Sequence, residues 1–189
     1  MALIKAFFFD LDGTLVDTHG ANLHAYTAAI KTVVKSSPSD DLISYVKKGV
    51  NSKEFLPKVV PGISEADMYA VIEEKKRVYP EHLHHSQLNE FLKNFLTQMS
   101  VHHKAVLVTT AKKDNALAVL RYHGIESMFS YMVFGDDVEN MKPHPDAYLK
   151  AMEIVGLNTD EILAFEDSEN GMQAAMAAGL NFVHIKDFE

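Results

Sequence analysis

Five short, nearly continuous apolar runs stand out along the chain: Ala6–Phe9 (AFFF), Lys104–Thr109 (KAVLVT), Tyr131–Phe134 (YMVF), Ile162–Phe165 (ILAF) and Asn181–Ile185 (NFVHI). Runs of this length without polar alternation are the pattern of parallel strands covered on both faces. Between the later runs, apolar residues recur at helical spacing. Asp114–His123 groups Leu117, Ala118 and Leu120 and stops at Gly124; Asp146–Val155 groups Ala147, Met152 and Val155, follows Pro145 and stops at Gly156; Glu169–Ala178 groups Met172, Ala175 and Met176 and stops at Gly179. The second half thus alternates strand and helix, which predicts a doubly wound parallel sheet of the α/β class. Right-handed crossovers bring the C-terminal ends of such strands to one edge. The last strand is expected near a sheet edge.

From about Val16 to Tyr79 the pattern changes. No strand-like run occurs, and helices are predicted at His19–Val34, Asp40–Lys48, Ser52–Val60 and Ser64–Val78, punctuated by Gly49 and Gly62. Ser64 followed three residues later by Asp67 resembles a capping box. A purely helical stretch placed directly after the first strand predicts a small α-helical domain, 16–79, inserted into a core built from 1–15 and 80–189. The chain crosses between them near Leu15–Thr18 and Tyr79–Ser86. Ser86–Met99, with Phe91, Leu92, Phe95, Leu96 and Met99, then reads as a core helix returning to the sheet. There is no internal repeat and no low-complexity segment.

Composition narrows the function. Of 189 residues, 47% are hydrophobic and 23% charged, ordinary for a soluble globular chain. Eighteen Lys and Arg against 26 Asp and Glu give a net charge of −8, which argues against a nucleic-acid backbone or an anionic membrane surface as partner. The absence of cysteine excludes disulfides, thiolate metal sites and thiol catalysis. No apolar run approaches the ~20 residues of a membrane span, and Asp10 cuts the N-terminal apolar stretch short, unlike a signal peptide. The expectation is a reduced, cytoplasmic protein, read as a monomer.

The strongest chemical signal is Asp10-Leu11-Asp12-Gly13-Thr14, directly after the first strand. Two carboxylates at i and i+2 share one side of a strand end, where open α/β sheets bind ligands. Their crowding calls for a cation or a shared proton. Gly13 permits a tight turn that presents an N–H to an anion. Thr109 and Thr110 end the KAVLV run and suit a phosphoryl oxygen at a helix N-terminus, or a plain N-cap. Lys142 is held in a loop stiffened by Pro143 and Pro145, a cation for the site or a solvated loop lysine. Glu166-Asp167-Ser168 ends the ILAF run, as an N-cap cluster or, with Asp10 and Asp12, as a set of hard oxygen ligands pointing to magnesium.

These four features fall at the ends of successive strands. In that order, as FFFDLDGTLVDT, VLVTTA, MKPHPDAYLKAM and AFEDSENGMQAAMAAG, they resemble the haloacid dehalogenase superfamily over nearly the whole chain. The resemblance implies a Rossmann-like core with a helical cap inserted after the first motif, and a Mg2+-dependent phosphatase acting on phosphate monoesters of small metabolites. It implies Asp10 as nucleophile and Asp12 as general acid and then base. Mg2+ would be held by Asp10, the Asp12 backbone carbonyl and Asp167, with Glu166 bound directly or through water. Lys142 would neutralise the phosphoryl group, while Thr109, Thr110 and the Gly13 N–H hold its oxygens. Asp12 favours phosphoryl transfer, since dehalogenating relatives lack the second aspartate.

Within the superfamily, the Lys48–Lys53 segment is similar to the specificity loop of β-phosphoglucomutase relatives, which carry an arginine there for a second phosphate. Here Lys53 is the nearest cation, no arginine precedes Arg77, and Asn22 occupies the position of a cap histidine, flanked by His19 and His24. Both departures favour a phosphatase over a sugar-phosphate mutase. Cap lysines Lys31, Lys35, Lys47, Lys48, Lys53 and Lys58 leave a phosphonate-cleaving Schiff base open, although exposed helical lysines are the ordinary case. A non-catalytic phosphate-binding module is the remaining alternative. His82, His84 and His85 cluster in a linker without zinc-ligand spacing, next to the second crossing.

Overall fold

The computed structural model describes residues 3–186. In chain order its elements are β1 (Ala6–Phe9), β2 (Val16–Asp17), α1 (His19–Val34), α2 (Leu42–Lys47), α3 (Ser52–Val59), α4 (Glu65–Val78), a 3₁₀ turn at Tyr79–His85, β3 (Gln87–Leu88), α5 (Glu90–Met99), β4 (Lys104–Val108), α6 (Lys113–Tyr122), β5 (Tyr131–Val133), α7 (Asp146–Val155), β6 (Ile162–Glu166), α8 (Glu169–Ala177) and β7 (Asn181–His184). They divide into two compact units, one holding the chain up to Asp17 and from Gln87 onward, the other Thr18–Ser86.

The first unit is built on a five-stranded sheet in the order β5-β4-β1-β6-β7, every neighbouring pair parallel. All four residues of β1 are buried, because both faces are covered. On one face Phe8 joins Val106, Val133, Ala164 and the α7 and α8 residues Tyr148, Ala151, Ala174 and Ala175. On the other, Phe7 and Phe9 meet Phe95 of α5, and Phe9 stacks on Phe165 with ring centroids 4.8 Å apart. A strand that buries both sides has no polar positions to alternate, which is why AFFF and KAVLV read as unbroken runs. Among the described residues β7 is an edge strand, as expected.

Helix faces differ in detail from the sequence reading. α6 buries Ala116, Val119 and Leu120 rather than Leu117 and Ala118; α8 buries Gly171, Ala174 and Ala175 and leaves Met176 57% exposed. Small residues on the α8 face let that helix lie close to the sheet, so the larger Met176 side chain turns outward. α5 starts at Glu90, capped by Asn89 Oδ1, which accepts the Leu92 N–H at 3.0 Å.

Two short strands pair where the chain crosses between the units. Val16 pairs with Leu88 and Asp17 with Gln87 in a two-stranded antiparallel ribbon. The compact units divide at 17/18, within the expected Leu15–Thr18 crossing, and at 86/87, at the end of the expected Tyr79–Ser86 crossing. Two-residue strands carry no readable period in sequence.

In the helical unit α1 packs against α4. Ala29, Ile30, Leu42, Phe55, Leu56, Val59 and Val71 form its core, with Tyr26 edge-on to Phe55 at 5.1 Å. α4 opens on Ser64, whose Oγ accepts the Asp67 N–H at 3.0 Å and donates to Asp67 Oδ2 at 2.7 Å, so Ser64 is the N-cap and Asp67 meets its hydroxyl, where a capping box would have the acid on the Ser64 backbone N–H. The segment carrying His82, His84 and His85 is a 3₁₀ turn, and His24 of α1 stacks on His85 with centroids 3.7 Å apart.

Candidate active site

Parallel pairing delivers the acids of the site to one sheet edge. Asp10 follows β1, its N–H donating to the Phe165 carbonyl at 3.1 Å, so it extends the central strand by one residue. Glu166 is the last residue of β6 and Asp167 the next. One oxygen from each of Asp10, Glu166 and Asp167 lies within 4.8 Å of the others. Lys142, from the loop between β5 and α7, reaches into this group. Its Nζ donates to Asp10 Oδ1 at 2.7 Å, to Glu166 Oε1 at 2.5 Å and to the Val108 carbonyl at the end of β4 at 2.8 Å. Its side chain is 4% exposed. The solvated-lysine alternative is thereby excluded.

The loop that carries Lys142 is stapled at both ends. Asp146 Oδ2 accepts the backbone N–H and side-chain amide of Asn140, and Asp146 Oδ1 pairs with His144 Nδ1 at 2.7 Å. These hydrogen bonds, Asn140 first, hold the Asp146 carboxyl below its usual range.

The electrostatics follow from crowding. Glu166 is fully buried, and burial first, then the neighbouring Asp10, pushes its carboxyl upward, with Lys142 opposing. Asp167 is raised by burial and by Asp10, against the Thr14 hydroxyl, which donates to Asp167 Oδ1 at 2.9 Å. Burial pulls the Lys142 ammonium down, but Asp10 and Glu166 outweigh it and the net shift is upward. When ionised, three carboxylates face one ammonium. That surplus of negative charge on hard oxygen donors suits a divalent cation of the magnesium type.

Other expected residues land differently. Asp12 stands in the same loop as Asp10 and makes an isolated bridge with Val16, but its carboxylate is outside the close trio. The Gly13 N–H donates to the Val16 carbonyl at 2.9 Å, so that amide closes the turn and is not presented to an anion. What Gly13 supplies is space. At φ +91° a Cβ there would lie 2.2 Å from Asp167 Oδ2. Thr109 is buried at the end of β4, its Oγ1 accepting the Ala111 N–H at 3.0 Å, and Thr110 is exposed beside it. Neither begins the helix, since α6 starts at Lys113. Lys53, in the helical unit, donates to the Tyr69 hydroxyl at 3.3 Å and lies over its ring.

Sequence reading missed two participants. Tyr148 of α7 donates its hydroxyl to Glu166 Oε1, and Gly171 of α8 leaves the room in which Glu166 lies, since a Cβ there would fall 1.9 Å from Oε2. Thr14 was quoted in the first motif without a role. Only the Tyr148 position, six residues after Lys142 in a helix that covers the sheet, offered any signal.

No helix among the described residues is long and apolar enough to cross a membrane. The family model described as haloacid dehalogenase-like hydrolase matches residues 7–185. A phosphorylated carbohydrates phosphatase of Thermotoga maritima is 33% identical over 186 residues, covering 96% of this chain and 84% of the relative. A phosphoglycolate phosphatase of Thiobacillus denitrificans is 29% identical, covering 93% and 80%. The crystal structure of a HAD-superfamily hydrolase, subfamily IA, from Geobacter sulfurreducens superposes with a TM-score of 0.79 at 27% identity, over 96% of this chain and 86% of that one. Because the family match runs from β1 to the end of β7 and takes in Asp10, Lys142, Glu166 and Asp167, the chain belongs to the haloacid dehalogenase-like hydrolases, an enzyme family.

Proposed function

We propose that this chain is a Mg2+-dependent phosphatase that hydrolyses phosphate monoesters of small metabolites, such as sugar or short-acid phosphates, through an aspartyl-phosphate on Asp10. One observation carries the reading: Lys142 Nζ lies 2.7 Å from Asp10 Oδ1 within a set of three close carboxylates. Relatives named for carbohydrate phosphates and phosphoglycolate support the substrate class.

Asp10, the Asp12 carbonyl and Asp167, with Glu166, would hold Mg2+. When bound, the ion supplies positive charge for the phosphoryl oxygens. An Asp10 carboxylate oxygen attacks phosphorus. The ester P–O bond breaks with its electron pair on the leaving oxygen, which takes a proton from Asp12. Water then attacks the phosphorus of the aspartyl-phosphate, Asp12 accepts its proton, and inorganic phosphate leaves the regenerated Asp10 carboxylate. Lys142 holds the Asp10 carboxylate and offsets phosphoryl charge. Thr109 and Thr110 orient the phosphoryl group. The helical unit acts as the cap that sets substrate choice, with Lys53 as its cation. The alternative is a sugar-phosphate mutase: a crystal structure titled putative beta-phosphoglucomutase from Thermotoga maritima is 32% identical over 97% of this chain, although Asn22 and Lys53 stand where the resemblance implies a histidine and an arginine.

The test is phosphate release from a panel of phosphate monoesters with Mg2+. Turnover is expected, falling at least about a thousandfold in Asp10→Asn. No release across the panel, or full activity in Asp10→Asn, overturns the reading. An isomerised product dependent on a bisphosphate activator would establish the mutase instead.

A further inference from the structure

Tyr148 is a fully buried side chain whose ring stacks on Phe8, with centroids 6.4 Å apart. A phenylalanine would fill that space with no polar group to satisfy. The hydroxyl instead meets Glu166 Oε1, the same oxygen that accepts from Lys142 Nζ. Lys142 Nζ also lies 5.1 Å from the Tyr148 ring centroid. Glu166 Oε2 is buried and has no hydrogen-bond partner, lying over Gly171, where a side chain would not fit.

We propose that Tyr148 is a positioning residue: through Glu166 it fixes where Lys142 presents its ammonium to Asp10. The inference rests on the phosphatase reading above for its kinetic consequence, but not for its geometry. Glu166 is tethered at one oxygen only, by two donors. Remove the hydroxyl and Lys142 alone holds that oxygen, while the second oxygen offers no anchor to replace it. The carboxylate can then rotate, and the ammonium it carries loses its fixed place between Asp10 and the Val108 carbonyl. A misplaced catalytic group loses rate steeply with distance. α7 thus contributes twice. The loop before it brings in the lysine, and its first turn brings in the group that orients that lysine.

The test is Tyr148→Phe, measured in two ways. With the best substrate of the panel, kcat is expected to fall by about tenfold or more while KM stays within about twofold. Separately, without metal or substrate, both proteins are labelled briefly with acetic anhydride and Lys142 acetylation is followed by peptide mass spectrometry. Labelling of Lys142 is expected to rise about threefold or more. Lys104, whose Nζ donates to the Val155 carbonyl at 2.9 Å in the same unit, should be unchanged. A general loosening would raise both lysines together and overturn the proposal, as would unchanged kcat with unchanged labelling. Should the unaltered chain release no phosphate, the phosphatase reading falls, and the labelling alone decides for or against the hold on Lys142.

Discussion

The Thr14 hydroxyl donates to Asp167 Oδ1 at 2.9 Å, joining the loop after the central strand to the loop after its neighbour across 153 positions of sequence. Gly13, beside it, leaves the space that the other Asp167 oxygen occupies. One dipeptide thus orients an acid that the chain places at the far end of the sequence. Thr14→Val should cost about 1–2 kcal/mol in urea unfolding and raise the Mg2+ concentration needed for half-maximal activity severalfold. Unchanged metal dependence would show that Asp167 is held by other means.

Divalent cation should stabilise the fold, since the acids of the site repel one another without it. At about a hundred times its dissociation constant, Mg2+ would add about 2.7 kcal/mol, a rise in Tm of about 5–10 °C. Asp167→Asn should abolish most of that rise. Thermal unfolding with Mg2+ and with a chelator checks both, and the absence of any shift in the unaltered chain would refute the metal site.

Phe9 lies between β6 and α5, stacked on Phe165 and edge-on to Phe95. It is fully buried. Phe9→Ala should cost about 3–5 kcal/mol through lost burial and a cavity under the site, read from the urea midpoint at constant slope.

His24 and His84 each lie beside both His82 and His85 in the helical unit, and these four imidazoles make five ring pairs with centroids 3.7–6.3 Å apart. Burial, then the charges of His24 and His84, lowers both His82 and His85 from about 6.5, and His82 lowers His85 further. Glu81 opposes only at His82. The sign follows from linkage. As pH falls below about 6.5 the unfolded chain takes up protons first, so stability is present above that pH and declines through and below it. The unfolding transition should therefore weaken between pH 7 and 5, and His85→Gln should flatten the decline. A pH profile left unchanged by His85→Gln would show that the cluster carries no such linkage, because the raised Glu166 and Asp167 contribute with the opposite sign in both proteins.

The fold was largely readable because its strands bury both faces. AFFF, KAVLV and ILAF have no polar alternation to confuse with helix, and each lies in the sheet where its run lies in sequence. The β2–β3 ribbon was not readable, since two-residue strands joined across the inserted helices leave no local period. Helix faces were half right. In α8, Ala175 is buried as read, whereas Met176 is exposed and Ala174 is the residue that close packing admits beside it.

By itself the sequence determined which residue types stand at the strand ends, because hydrophobic period and turn residues are local properties of the chain. Asp10, Thr109, Glu166 and Asp167 are read at strand ends, and Lys142 in the proline-stiffened loop after β5. Only the tertiary structure decided what each one touches: that Lys142 spans Asp10, Glu166 and the Val108 carbonyl, that the Gly13 amide serves the turn, and that Tyr148 closes on Glu166. Those contacts join residues as many as 132 positions apart through a buried cluster. Their geometry is set by sheet register and helix packing, which no local pattern encodes.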